Sequence, residues 1–145
     1  EALGLPLQWC EEYYSVSARH VLRGMHFQMP PHAHAKLVHC PAGSVRDVLL
    51  DLRRGDGYGR VATIELDSRQ PVMLLVAPGV AHGFLALEEA SMMAYRTSTE
   101  HVPAADAGVR WDSFGVDWGV HQPLLSDRDA AFPALNDFAS PFGSP

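Results

Sequence analysis

Charged and polar side chains interrupt two short apolar stretches of this chain that otherwise have the character of buried β-strands. Arg23, His26 and Gln28 lie among apolar residues in the segment 21–28, and His82 follows a Pro-Gly turn inside a second apolar run. A buried charge or amide without a hydrogen-bond partner costs several kcal/mol. These side chains therefore either form hydrogen bonds inside the protein or line a wet pocket.

Five titratable residues form a set that suits proton transfer at a carbon atom next to a carbonyl group. They are His26, Lys36, His82 and Tyr95 in predicted strands and Asp129 near the C-terminus. A histidine held by a carboxylate is a general base near neutral pH. Lysine and histidine can stabilise an oxyanion, and tyrosine can donate a proton. Each residue also has a purely structural interpretation, as a hydrogen-bonded core group, a helix cap or a lysine that extends to solvent.

Several histidines make a metal site conceivable. His32 and His34 are two residues apart, so a strand would place both on one side. Possible further ligands are His26, His39 and His82. The carboxylate that would complete such a site is missing, and Lys36 stands in its place, where an ammonium group repels a cation. We therefore expect no functional metal.

Glycine and proline interrupt the chain at short intervals between residues 30 and 79. The apolar segments of the chain are short and partly alternating or β-branched, which is typical of strands. Beyond 21–28 they are 37–40, 45–52, 61–66, 72–77, 84–87 and 91–96. This pattern predicts an all-β sandwich or closed barrel. Residues 103–137 predict an irregular tail that wraps the barrel, with short helical turns after Pro103 and Ser126.

The composition limits the classes of protein to which the chain can belong. Its 145 residues with 47% hydrophobic content predict one domain with a substantial core. The formal net charge of −6 argues against broad nucleic-acid binding. Cys10 and Cys40 do not form a disulfide framework, and no stretch resembles a signal peptide or a membrane span. We therefore expect a cytoplasmic protein with reduced thiols and without a membrane or nucleic-acid partner.

A series of motifs covers roughly residues 5–135. In chain order they are VLRGMHFQ-x-PPHAHAKLV, G-x-V-x-D-V-x-x-DLR, YGR, APGVAHGFLAL, YRTST and GVRWDSFGVDW…P-LLSDRD. In order and spacing they resemble the nucleotide-diphospho-4-keto-6-deoxysugar 3,5-epimerases, the dTDP-4-dehydrorhamnose 3,5-epimerase family. The resemblance implies a cupin jelly-roll barrel with a short irregular or helical C-terminal tail. It also implies a dimer that uses neither metal nor cofactor.

The resemblance further implies roles for individual catalytic residues. His26 of LRGMHFQ matches the catalytic base. Asp129 of LSDRD matches the aspartate that holds this base, with Asp127 as the alternative. The residues that match the enolate-side lysine, the second active-site histidine and the acid tyrosine are Lys36, His82 and Tyr95.

Substrate contacts are implied less completely. Arg23 matches the arginine that meets the diphosphate, and the further expected contacts are Gln28, Glu11 and Ser15. Family members that act on thymidine sugars usually carry Q-D-N-H-S before the LRG motif, whereas residues 11–15 are EEYYS. This departure leaves dTDP, CDP and GDP open as the nucleotide. The family has an N-terminal D-x-R-G-x-F-x-E segment that contacts substrate across the dimer. These 145 residues do not contain that motif, so we expect that the N-terminal segment of the family is missing from this sequence.

The expected function is inversion of C3, C5 or both in a nucleotide-diphospho-4-keto-6-deoxy sugar. Such a reaction belongs to the biosynthesis of deoxysugars for surface polysaccharide or glycosylated products. We expect a single epimerase domain over residues 1–145 that acts as a homodimer. Two alternatives remain open. The first is a metal-dependent cupin, such as a dioxygenase or a sugar isomerase, and the second is an inactive cupin that only binds a sugar nucleotide.

Overall fold

The computed structural model describes residues 8–143, and almost all regular structure in this range is β-strand. The strands are β1 (Glu11–Ser17), β2 (Leu22–Gln28), β3 (Lys36–Ala42), β4 (Ser44–Asp51), β5 (Val61–Asp67), β6 (Met73–Val76), β7 (Val80–Ala86), β8 (Ser91–Thr97) and β9 (Asp106–Gly108). Within residues 8–143, helical structure is confined to α1 (Asp127–Ala130) and two single turns of 3-10 helix, Pro103–Ala105 and Leu135–Asp137. The predicted all-β class and the short helical turns of the tail are confirmed.

The strands form two antiparallel sheets that face each other. The four-stranded sheet has the order β1-β8-β3-β6, and the five-stranded sheet has the order β5-β4-β7-β2-β9. The chain crosses between the sheets at most of its connections, so strands that follow one another in sequence seldom pair. This double-sheet arrangement is the jelly roll that the family resemblance implied.

Alternation along the strands decides which side chains face the space between the sheets. On β3, Lys36, Val38 and Cys40 are buried, and the residues between them are more exposed. On β8, Met93 and Tyr95 point inward in the same way. The period of two therefore places Lys36 and Tyr95 on the inner face, beside apolar core residues.

Two apolar clusters hold the sheets in place. One cluster fills the space between the sheets and includes Val38, Phe84 and Met93. The other lies on the opposite face of the five-stranded sheet, where Leu22 and Leu50 pack against residues of the C-terminal tail. The buried tail residues are Val109, Trp118 and Phe142. The predicted irregular tail therefore does cover the barrel, and it buries Trp118 there.

A bulge in β2 determines which of its side chains reach the inner face. The pairing of β2 with β7 shifts between Arg23 and His26. Gly24 lies at this shift with a φ of +134°, and a Cβ there would be 2.5 Å from the Gly83 Cα. Only a residue without a side chain allows this close approach. Because the bulge adds a residue, Arg23 and His26 both face inward although they are three positions apart.

Candidate active site

A cleft of about 400 Å³ opens between the two sheets. Its walls carry side chains from both sheets, and eight of the nine residues that the sequence analysis selected line it: Glu11, Ser15, Arg23, His26, Gln28, Lys36, His82 and Tyr95. The ninth, Asp129, lies directly behind His26. The motifs from distant parts of the sequence therefore converge on one cavity.

His26 and Asp129 form a hydrogen-bonded pair at one wall of the cleft. The His26 Nε2 atom is 2.7 Å from Asp129 Oδ1, and the second carboxylate oxygen accepts a hydrogen bond of 3.0 Å from the Gly24 N–H. The Ser126 hydroxyl caps α1 by accepting from the Asp129 N–H. The carboxylate that reaches the histidine is thus that of Asp129, and the α1 cap and the β2 bulge fix its position.

The charge of this pair is set by competing effects on Asp129. Burial raises the pKa of the carboxyl group, but the hydrogen bond and the charge of His26 outweigh it and hold the pKa below its ordinary value. Asp129 is therefore ionised at neutral pH and accepts the proton on Nε2. The opposite ring nitrogen, Nδ1, makes no hydrogen bond to residues 8–143, and the partly exposed ring lines the cleft. Phe132 packs edge-on against it at 5.7 Å.

A second histidine–carboxylate pair lies deeper in the cleft. The His82 Nε2 atom is 2.7 Å from Asp47 Oδ2, and both side chains are almost completely buried. The sequence analysis missed Asp47. The available signal was its position in β4, where alternation with Val45 and Leu49 points a carboxylate toward the core. An inward carboxylate needs a partner, and β7 supplies His82.

Lys36 brings a buried ammonium group into the cleft. Its Nζ donates a hydrogen bond of 3.3 Å to the His26 carbonyl oxygen. Complete burial lowers the pKa of Lys36 to about 8, although the charges of Asp106 and Asp47 oppose the shift. The amine is therefore mostly protonated at neutral pH, and it titrates close to the physiological range.

Tyr95 lies on the opposite sheet from His26, with only 8% of its surface exposed. Burial raises the pKa of its phenol far above the ordinary value, so the hydroxyl keeps its proton across the accessible pH range. Its ring packs edge-on against His82, with the ring centres 6.1 Å apart, and stacks on Tyr13. The cleft thus holds a protonated phenol on one wall and an imidazole on the other.

Three of the expected substrate contacts lie near the mouth of the cleft. Arg23 is exposed, and its Nε donates a hydrogen bond of 3.0 Å to the Ser17 hydroxyl. Glu11 accepts from the His101 N–H at 3.0 Å. The Ser15 hydroxyl oxygen is buried and lies beside the Tyr95 phenol. These groups offer one cation and several polar atoms to a ligand.

Gln28 has a different environment from the other expected contacts. Its amide nitrogen donates to the His32 carbonyl oxygen at 2.9 Å, and its oxygen accepts from the Val102 N–H at 2.6 Å. Both ends of the amide are therefore bonded to the loops that follow β2 and β8. Gln28 lines the cleft and also ties these two loops together.

The cleft contains further polar residues that the sequence analysis did not select. Arg128 and Asp106 form an ion pair of 2.6 Å beside His26, and Arg128 also lies over the Phe132 ring. A signal was present, since Arg128 directly precedes Asp129 in LSDRD. Tyr13 belongs to the EEYYS segment, where this chain differs from the thymidine-type pattern, and its ring lines the cleft.

The histidines that made a metal site conceivable do not form one together. Within residues 8–143, no three His, Cys, Asp or Glu side chains are close enough to hold a metal ion. His32 lies in the exposed turn after β2. Burial, with the charges of Lys36 and His101, lowers the pKa of His34 to about 3, so this ring is neutral.

The family of the chain follows from comparison with known proteins. A family model described as dTDP-4-dehydrorhamnose 3,5-epimerase matches residues 1–137. The chain belongs to this family. The dTDP-4-dehydrorhamnose 3,5-epimerase of Shigella flexneri is 34% identical over 132 residues, which cover 89% of this chain and 73% of that protein. The chain spans between 61% and 76% of the length of five curated relatives.

Solved structures of the family have the same fold. NovW, a 4-keto-6-deoxy sugar epimerase from Streptomyces spheroides, superposes with a TM-score of 0.90 at 36% identity over 94% of this chain and 70% of that one. An epimerase of Legionella pneumophila in complex with dTDP-4-keto-L-rhamnose gives a TM-score of 0.89 at 30% identity over 94% and 74%. The predicted family, the jelly-roll fold and the assignment to the sugar-nucleotide epimerases are confirmed.

Proposed function

We propose that the chain inverts C3, C5 or both in a nucleotide-diphospho-4-keto-6-deoxy sugar, with His26 as base and Tyr95 as acid. One observation carries the proposal. His26 projects from the five-stranded sheet and Tyr95 from the four-stranded sheet, and both line the same cleft. A sugar ring between the sheets would meet the two groups on opposite faces. Removal of a proton from one face and its return to the other inverts a carbon centre.

The first step is removal of a proton next to the 4-keto group. This carbonyl acidifies the neighbouring C–H bonds, because the electron pair left behind moves onto oxygen as an enolate. His26 takes the proton at Nδ1, since Asp129 holds the proton on Nε2 and stabilises the imidazolium. A positioned general base of this kind contributes on the order of 10²–10⁴-fold.

The enolate oxygen then needs a positive environment. Lys36 supplies an ammonium group from the four-stranded sheet, and His82 supplies an imidazole that Asp47 orients. In the partly enclosed cleft, such groups stabilise negative charge more strongly than they would in bulk solvent. Their rigid placement by buried hydrogen bonds means that little reorganisation is needed when the charge develops.

The second step returns a proton from Tyr95. Its phenol keeps its proton in the free protein because of burial, so it is ready to donate once the enolate forms. The phenolate that results recovers a proton from solvent, and His26 releases its proton in the same way. The two steps leave the covalent structure of the sugar unchanged except at the inverted centre.

The nucleotide part of the substrate would lie toward the mouth of the cleft. Arg23 supports binding of the diphosphate, because guanidinium groups suit phosphate oxygens. Glu11, Ser15 and Gln28 supply further polar atoms at the walls. The Legionella neighbour holds a dTDP-linked sugar, whereas the EEYYS segment of this chain differs from the thymidine-type pattern. We therefore propose dTDP as the first nucleotide to test, with CDP and GDP beside it.

The assembly and compartment of the enzyme are also proposals. We propose a homodimer, in keeping with the family, that uses neither a metal nor a cofactor. Both cysteines are free thiols, Cys10 exposed and Cys40 buried, which suits a reducing compartment such as the cytoplasm. Separately, none of the described helices is both long and apolar enough to cross a membrane.

The experiment that tests this function follows protons at the sugar. The protein is incubated in D₂O with dTDP-, CDP-, GDP- and UDP-linked 4-keto-6-deoxy sugars, and NMR records deuterium at C3 and C5 together with the configuration of each centre. We expect deuterium and inversion at one or both centres with at least one nucleotide. Binding without any exchange would instead support the inactive sugar-nucleotide-binding protein.

A further inference from the structure

Tyr13 makes the closest aromatic contact in the cleft, and the catalytic roles proposed above do not use it. It lies on β1 directly opposite Tyr95 on β8. The two rings are parallel within 11° and their centres are 4.7 Å apart. Stacking at this distance restricts the Tyr95 ring, because that ring cannot turn toward Tyr13 without displacing it.

The backbone around this contact is regular. The pairing of β1 with β8 runs without a bulge from Glu11 opposite Thr97 to Ser17 opposite Ser91. The register therefore fixes the Cα of Tyr13 opposite the Cα of Tyr95, and strand alternation points both side chains inward. The contact belongs to the sheet itself and does not depend on a flexible loop.

The two sides of the stack have different environments. Tyr95 is buried, and His82 packs edge-on against it at 6.1 Å. Tyr13 remains 44% exposed at the mouth of the cleft. Burial, followed by the charges of Glu11 and Asp106, raises the pKa of Tyr13 to about 12, so its ring stays neutral. Tyr13 therefore covers the ring of Tyr95 on the side toward solvent.

We propose that Tyr13 is a positioning residue that holds the Tyr95 ring where its hydroxyl can return a proton to the substrate. This inference rests on the proposed role of Tyr95 as the acid. Without the stacked ring, only His82 would pack against Tyr95, and the Tyr95 ring would be free to swing away from His82 toward the mouth of the cleft. A general acid that samples several orientations loses much of its advantage, since small misplacements cost large factors in rate.

The test uses three variants of neighbouring residues on β1. Tyr13→Ala removes the stack, and Tyr13→Phe keeps the ring while removing its hydroxyl. Tyr14→Ala is the matched control, because Tyr14 is 69% exposed and points away from the cleft. Each variant is assayed in D₂O for inverted product and for deuterium incorporated without inversion, together with kcat and KM.

We expect Tyr13→Ala to lower the ratio of inversion to exchange by about 10-fold to 100-fold, as for a misplaced catalytic group. Tyr13→Phe should stay within about 2-fold of the original ratio, because positioning needs the ring and not the hydroxyl. Tyr14→Ala should leave the ratio unchanged. A merely structural role would lower exchange and inversion together and would leave their ratio unchanged in Tyr13→Ala.

Several outcomes would overturn the inference. An unchanged ratio in Tyr13→Ala would show that Tyr95 needs no support. A rise in KM alone would make Tyr13 a substrate contact, and a loss in Tyr13→Phe equal to that in Tyr13→Ala would assign the effect to the hydroxyl. Should Tyr13→Ala fail to fold, Tyr13→Leu covers Tyr95 with an apolar group that cannot stack, and the same ratio then decides.

A second measurement separates this inference from the proposed function. Nuclear Overhauser contacts between the Tyr95 and His82 rings should be strong in the original protein and in Tyr13→Phe, and weaker in Tyr13→Ala. Contacts that persist in Tyr13→Ala would overturn the positioning role even if the protein is active. Absence of all exchange in the original protein would refute the proposed epimerase activity, while the ring contacts would still report on Tyr13.

Discussion

The Nε2 atom of His26 lies 2.7 Å from Oδ1 of Asp129. The two residues are 103 positions apart in the chain, and two local features bring them together. The Gly24 bulge turns His26 inward, and the Ser126 cap orients the first turn of α1 so that Asp129 points at the same place. The Gly24 N–H donates to Oδ2 of Asp129, which fixes the orientation of the carboxylate. Oδ1 therefore faces Nε2 of His26, and Nδ1 stays free to take a proton.

The first prediction concerns the tautomer of His26. In Asp129→Asn, the amide oxygen can still accept from the Gly24 N–H, which leaves the amide nitrogen facing Nε2. That nitrogen donates a proton, so the imidazole proton moves to Nδ1 and the base is lost. We expect kcat/KM to fall by roughly 10²–10⁴-fold, with little change in nucleotide affinity. Asp127→Asn is the control. A larger loss of activity in Asp127→Asn than in Asp129→Asn would show that Asp127, and not Asp129, holds the base.

The second prediction concerns Tyr95. With Tyr95→Phe, His26, Lys36 and His82 are untouched, so the base should still remove the proton. The proton then returns mainly from His26 to its original face. We expect solvent exchange at C3 or C5 to persist while inverted product falls by roughly two orders of magnitude. Equal loss of exchange and inversion would mean that Tyr95 acts in binding or in packing of the barrel.

The third prediction concerns the pH dependence that Lys36 imposes. Its pKa of about 8 in the folded protein means that the ammonium group is lost as the pH rises through 8. We expect kcat/KM, which reports on the free enzyme, to fall above that pH. Tyr13, with a pKa of about 12, and Tyr95, whose pKa is raised further, cannot account for such a limb.

The free energy of unfolding should rise as Lys36 loses its proton, whereas kcat/KM should fall. The folded pKa of Lys36 is below the ordinary 10.5, so the cost of burying the charge applies fully at low pH. It is relieved as the pH rises from about 8 toward 10.5. Lys36→Met should therefore lack the alkaline limb, and its Tm should exceed that of the original protein most at neutral pH. If kcat/KM of Lys36→Met still fell above pH 8, the titration of another group would cause the fall.

The fourth prediction concerns metals. Lys36 places a positive charge in the cleft where a metal-dependent protein would need a ligand. We expect the purified protein to contain less than stoichiometric zinc, iron or manganese and to keep its activity after treatment with EDTA. Tightly bound metal whose removal abolishes activity would support the dioxygenase or sugar isomerase interpretation instead.

Much of the site could be predicted because its residues lie in short motifs on alternating strands. His26, Lys36, His82 and Tyr95 are polar side chains at inward positions of apolar strands, and this conflict is visible in the sequence. The residues missed were those whose importance comes from pairing between distant segments. Alternation in β4 marks Asp47 as an inward carboxylate, but its partner His82 is identified only when β7 pairs with β4, and the contact of Tyr13 only when β1 pairs with β8.

The fold shows the same division. The apolar segments between glycines and prolines predicted most strands to within a few residues. The strand Glu11–Ser17 was missed because its inward positions are Glu11, Tyr13 and Ser15, which line a cleft and therefore lack the apolar pattern of a core strand. The strand Asp106–Gly108 was missed because it spans only three residues at the edge of a sheet. Periodicity alone does not identify either kind of strand.

Solvent exchange in His26→Asn decides whether His26 removes the substrate proton. Asparagine keeps a polar side chain at this position but has no basic nitrogen. With a 4-keto-6-deoxy sugar nucleotide in D₂O, we expect deuterium incorporation at C3 and C5 to fall to background while nucleotide binding stays within about 3-fold, since the chemical step and binding use different groups. Exchange that persists at the rate of the original protein would show that another residue removes the proton and that His26 is not the base.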